Sequence, residues 1–148
     1  MTHEDYMHAA LEQARLGLAA GEVPIGAVIV IGDDIVARAY NQPITTVDPT
    51  AHAEVLALRA AAAQIGNYRL SGSRLYVTVE PCLMCVGALV HARVGEVIYG
   101  APEPRSGALV SMVRGHEFPG LNHRTTVTGG VLEADCRDLI QTFFRDRR

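Results

Sequence analysis

No apolar run in this chain approaches the roughly 20 residues that a helix needs to span a bilayer, so no membrane anchor of that kind is expected. The opening Met1-Thr2-His3-Glu4-Asp5 lacks the basic start and apolar stretch of a secretory signal, and a cytoplasmic location is the resulting expectation. Cysteine is scarce: three residues cannot form a complete disulfide set, which excludes the stapled scaffolds of small secreted proteins. Internal repeats, low-complexity tracts and interdomain linkers are missing too. So is any excess of positive charge. The formal net charge is −3, so nucleic acid is not attracted globally, and any binding has to come from a local basic patch.

The 148 residues, 49% hydrophobic and 20% charged, have the balance of one soluble globular domain spanning residues 1–148. Met7, Ala10, Leu11, Ala14 and Leu18 recur at the spacing of one apolar helix face, predicting a helix over His3 to Ala20, with Gly21 as its stop. The β-branched run Val23 to Ile31 predicts a buried strand. Gly32-Asp33-Asp34 predicts a turn, and Ile35 to Tyr40 the returning strand of a hairpin. A loop over Asn41 to Pro49 leads to a helix that ends near Ile65, with Asp48 or Thr50 as its cap. Further strands are predicted at Arg74–Val79, Val94–Tyr99 and Thr125–Leu132. Helices are predicted from Cys82 to about His91, after Pro81, and over Glu133–Arg145. Residues 101–122 carry the least periodicity, with room for a short helix. Strands alternating with helices after an opening hairpin define an α/β domain whose mixed sheet is covered on both faces.

Two short motifs carry the chemistry, His52-Ala53-Glu54 and Pro81-Cys82-Leu83-Met84-Cys85, each opening a predicted helix. Positions i and i+3 share a helix face, so Cys82 and Cys85 can aim their sulfurs at one point. A helix N-terminus favours thiolate, the form a metal needs. If the two helix starts converge, His52 completes a three-ligand zinc site whose fourth position stays open to water, the arrangement of a catalytic metal. Zinc acidifies such a water. Glu54, two residues past a ligand, can then move its proton to a ring nitrogen and a leaving amine. A lone C-x-x-C more often marks a structural zinc or a redox pair, and a lone H-x-E is common on exposed helices. Together and in this order they form the signature of zinc nucleobase deaminases. The competing structural-zinc module needs a fourth protein ligand, and Cys136, otherwise expected to be a core residue, is the spare cysteine. His91 and His123 are expected at the surface or as caps, and Met7, Met84 and Met112 in packing.

The chain also resembles bacterial tRNA-specific adenosine deaminases almost end to end. The resemblance rests on Gly21 to Val28, Asn41, Asp48 to Glu54, Leu75 to Cys82, Gly107-Ala108, Leu121-Asn122-His123-Arg124 and Phe143-Phe144-Arg145. It implies a cytidine-deaminase-like three-layer sandwich with a five-stranded mixed sheet, one zinc ion per subunit, a homodimer, and a tRNA anticodon stem-loop as substrate. In those terms Asn41 hydrogen-bonds a flipped adenosine, the backbone amides of Ala53 and Glu54 orient the purine, and Val23 and Ile25 wall it. Phe144 lines the pocket near the neighbouring base, and Glu103 and Arg105 meet the RNA. Arg105, Arg124, Arg145, Arg147 and Arg148 are candidate phosphate contacts. The chain departs from the family's pattern at Glu103-Pro104-Arg105-Ser106, where an acidic residue and a lysine are usual, and at Val110, where glycine is usual. Neither change touches the zinc motifs. The alternative is a deaminase of a free base or nucleoside, which the zinc motifs alone also fit.

Overall fold

A computed structural model describes residues 1–147; of the basic residues named above, Arg148 lies outside them. Five strands form one sheet in the order β2-β1-β3-β4-β5. They are β1 (Gly26–Ile31), β2 (Asp34–Tyr40), β3 (Arg74–Val79), β4 (Glu96–Ala101) and β5 (Thr126–Thr128). β1 runs antiparallel to both β2 and β3, whereas β3, β4 and β5 are mutually parallel. The helices are α1 (His3–Ala19), a single turn α2 (Pro43–Thr46), α3 (Ala53–Ile65), α4 (Leu83–His91) and α5 (Glu133–Asp146).

Alternation along the strands builds two cores. Ala27, Ile29, Leu75, Val77 and Val97 face the α3–α4 layer, with Ala57, Leu58, Val86 and Leu89. Val28, Val30, Tyr76 and Ile98 face the α1–α5 layer, with Tyr6, Met7, Leu11 and Cys136. The expected three-layer sandwich is what the chain forms. Among the described residues no helix is long and apolar enough to cross a membrane.

Several boundaries differ from expectation for local reasons. The first strand starts at Gly26, not Val23. Pro24 has no N–H for a ladder, and the Ile25 amide turns back onto the Val23 carbonyl at 2.8 Å. The last strand has three residues rather than eight, because Gly129-Gly130 breaks it, Gly130 sitting at φ +85. Neither Asp48 nor Thr50 caps α3. Asp48 closes a local turn on the Thr50 amide and hydroxyl, each at 2.8 Å, and the cap position falls to His52. Cys82 likewise caps α4, with Pro81 just outside it. Met7 and Cys136 are buried, but Met84 and Met112 are exposed, so the packing expected of those two is not found. His91 is exposed, and His123 touches the Val94 carbonyl through Nε2 at 2.7 Å.

Candidate active site

The site lies where two helix starts meet beyond the carboxyl end of β3. His52 precedes α3 and Cys82 precedes α4; both are in extended conformation, and neither makes a side-chain cap bond. Function occupies the positions where Ser, Thr, Asp or Asn would usually satisfy the first amides. Both helix N-termini therefore direct their positive ends at the cluster. His52 Nδ1 lies 3.6 Å from Cys82 Sγ and 3.5 Å from Cys85 Sγ. Zinc–sulfur and zinc–nitrogen bonds of about 2.3 and 2.0 Å at a tetrahedral angle put such atoms about 3.5 Å apart, so the donor set fits zinc in both chemistry and spacing. Among the described residues this is the cluster able to hold a metal. Cys136 is not part of it: its sulfur sits in the α1–α5 core under Gly100, and burial pushes its thiol up to about 12. The structural-zinc reading thus loses its fourth ligand.

Cys82 is a good anion. The hydrogen bond from Cys85 lowers its pKa to about 4, while Cys85 is held high by the same bond and by burial. His52 is raised, first by its bond with Cys82. Glu54, in the first turn of α3, is 4% exposed. Burial, then the nearby Cys82 charge, pushes its carboxyl up to about 7 despite the bond from its own amide. A carboxyl poised there can both accept and donate a proton near neutral pH.

The remaining expected residues divide. Asn41 is buried at the end of β2, its amide bonded to the Ile25 carbonyl, and the next amide, of Gln42, bonds the Ala51 carbonyl. Asn41, Ile25 and the His52–Glu54 turn are thereby laced together, with Val23 and Ile25 half-buried and Ala53 fully buried. Glu103 joins from the other side: its amide donates to Glu80, while its own carboxylate accepts from the Arg105 amide. Arg105 is exposed. Phe144, 49% exposed, lies on α5, which packs against β3 and β4 from the opposite face to α3 and α4.

Two buried carboxylates escaped the sequence reading. Glu22 accepts from the Ile44 amide and from the Thr45 amide and hydroxyl, holding α2 beside Asn41. Glu80, immediately before Pro81-Cys82, accepts from the amides of Glu103, Leu109, Val110 and Ser111 and from the Ser111 hydroxyl. The loop closes on it so tightly that a Cβ at Gly107 would clash with the Glu80 carboxylate. Burial alone would raise both carboxyls; the bonds onto them outweigh it and hold both below the usual carboxylate range. Such a group adds stability above its unfolded pKa and loses it as pH falls through its folded one. Glu80→Gln is therefore expected to cost about 2–3 kcal/mol at pH 7, the scale of one or two charge-assisted bonds. The gap to the parent should close as pH drops below about 4. Urea melts of both proteins at several pH values check this, and equal stability at pH 7 would overturn it.

A zinc-ligand triad at two helix starts, beside a buried carboxylate in a three-layer sandwich, places the chain in a defined class. The chain belongs to the cytidine and deoxycytidylate deaminase family, whose zinc-binding region matches residues 1–101. It is 45% identical over 148 residues to the tRNA-specific adenosine deaminase of Haemophilus influenzae, covering 98% of this chain and 84% of that one. A solved structure from work on A-to-I editing by tRNA:A34 deaminases at the wobble position superposes with a TM-score of 0.89. It shares 40% identity and covers 91% of this chain and 98% of that one. Guanine deaminase from Bacillus subtilis is 44% identical over 69% of this chain and 66% of its own, with a TM-score of 0.66.

Proposed function

We propose that this chain, read as one deaminase domain over residues 1–148, converts adenosine to inosine at the wobble position of a tRNA anticodon. The observation that carries the reading is the triad of His52, Cys82 and Cys85 with Glu54 buried beside it, in a chain similar over nearly its full length to tRNA-specific adenosine deaminases. Zinc held by the triad supplies an acidified water as nucleophile. The rest is the work of the protein. With zinc bound, Glu54 would take the proton from water as its oxygen adds to C6 of the adenine and pass it to N1. It would then carry the proton of the new C6 hydroxyl to the amine, so that the C6–N bond breaks, C6 becomes a carbonyl and ammonia leaves. Among the described residues none bonds the Asn41 side chain, so its amide serves the ribose or base. Val23 and Ile25 wall the ring, the first amides of α3 at Ala53 and Glu54 donate to acceptors on its polar edge, and Glu103, Arg105 and Phe144 meet the flanking nucleotides. The target base must leave its stack to reach the zinc, which costs least in a single-stranded loop.

We also assign a homodimer and a cytoplasmic location. Leu83, Met84, Val110, Met112, Val113 and Phe118 are all at least 39% exposed. They sit on the start of α4 and on the loop around the 3-10 turn Gly115–Glu117 that packs against it. An apolar patch of this kind suits a second copy of the chain. Light scattering should give twice 15.9 kDa, and a monomer at micromolar concentration would remove the assignment.

The decisive assay is mass analysis of nucleosides after incubation with tRNA. Inosine should appear in an anticodon, and the affinity should weaken as salt rises. Ammonia release from free guanine, cytosine or adenosine with no tRNA editing would establish the second reading, which the likeness to guanine deaminase favours.

A further inference from the structure

All 13 basic side chains other than histidine are arginines, and three of them, Arg69, Arg93 and Arg124, lie just before β3, β4 and β5, at the end of the sheet away from the zinc triad. A cavity of about 640 Å³ is lined by Arg114, His116, Arg124 and the β5 edge. A second of about 250 Å³ is lined by Arg69, Arg93 and His123. The two adjoin. Segment 122–126 forms the ridge between them, fastened to the 93–95 turn by Arg93 to the Asn122 carbonyl at 3.1 Å, Thr125 to the Val94 carbonyl at 2.9 Å, and the Thr126 amide to the Gly95 carbonyl at 3.1 Å. Arg93 takes φ +64 to make this junction, a conformation that costs about 1 kcal/mol or more outside glycine.

The charge here is unbalanced. The lining acid, Glu117, is engaged by both arms of Arg114 at 2.7 and 2.9 Å. Among the described residues no carboxylate pairs with Arg69, Arg93 or Arg124. Beside them Tyr68 is 73% exposed, with the Arg69 guanidinium 5.6 Å above its ring. An acidic chain thus keeps three unpaired arginines and an exposed aromatic ring together. Favourable charge at the ends of α3 and α4 would account for Arg69 and Arg93, but not for Arg124, nor for the tyrosine.

We propose that this surface binds backbone phosphates of the RNA substrate away from the base being deaminated, with Tyr68 as a stacking face. The placement gives the distance. α4 and α3 begin at the zinc ligands and end here after 9 and 13 residues, which is about 14–20 Å at the helical rise. A stacked strand advances about 3.4 Å per nucleotide, so the contacts fall roughly four to six nucleotides from the target. Planar guanidinium forks suit phosphate oxygens.

The inference rests on the tRNA reading above, and the test separates the two. An Arg69→Gln, Arg124→Gln double variant changes two exposed side chains and should keep the melting temperature and zinc content of the parent. On full-length tRNA, KM should rise roughly tenfold with kcat unchanged, and the salt dependence of log KM should flatten by about 1.4–1.8, the slope of two lost phosphate contacts. On an oligonucleotide limited to the anticodon loop, KM should not move. An unchanged KM and salt slope on full-length tRNA overturns the inference, as does an equal loss on both RNAs. A parent enzyme inactive on every tRNA overturns instead the reading on which it rests.

Discussion

Glu54→Ala should abolish turnover while leaving the protein folded and metallated, with inosine formation falling by about 10³-fold or more, within the range for losing a positioned general acid–base group. Glu54 is not one of the triad atoms, so zinc stoichiometry should hold at one per chain. Nor should stability suffer. A buried carboxyl pushed up to about 7 is a group whose ionised form the fold disfavours, so its removal should leave the melting temperature unchanged or raise it. Product analysis by mass and metal content measured on the same sample check both halves. Activity within tenfold of the parent would take the proton-transfer role away from Glu54, and loss of zinc would make it a ligand instead.

Cys82→Ala has the opposite signature. The variant should lose zinc, activity and stability together, because binding at the triad is linked to folding. At free zinc about 1,000 times Kd the linkage is worth about 4 kcal/mol, and for a chain of this size that corresponds to roughly 10 °C in melting temperature. Two apolar cores remain without the metal, so the variant should still fold cooperatively, unlike a zinc finger. Stripping the parent with a chelator should bring it down to the variant's melting temperature and leave the variant unmoved. If the stripped and loaded parents melt alike, the site carries no folding energy and the coupling is wrong.

The chemistry was more legible in the residues than the walls around it. His52, Glu54, Cys82 and Cys85 could be found because each motif is local and sits at a helix start, where periodicity changes. The α3 and α4 bodies followed from their apolar content. Glu22 and Glu80 could not be found that way. Their partners are backbone amides 22 to 31 residues further on, and an amide has no residue type to mark it. The same blindness explains residues 101–122. In that segment Glu80 takes the amides of Glu103, Leu109, Val110 and Ser111, and loop carbonyls take others, so no regular ladder marks it. Strand ends were misplaced where a proline or a glycine pair overrode β-branched content, at Pro24 and at Gly129-Gly130. Met84 and Met112 misled differently: a hydrophobic residue type does not say whether its side chain is buried, and both of these are exposed.

His52 and Cys82 stand where asparagine or serine would make a better start for α3 and α4. At each helix the chain forgoes about 1 kcal/mol of available stabilisation. A library selected for thermal resistance with the metal stripped away would therefore drift toward His52→Asn or Cys82→Ser and accumulate inert proteins, whereas one selected with zinc loaded would keep both residues, because the metal contributes more than the caps would. Any effort to toughen this scaffold has to hold those two positions fixed and look for its gains elsewhere.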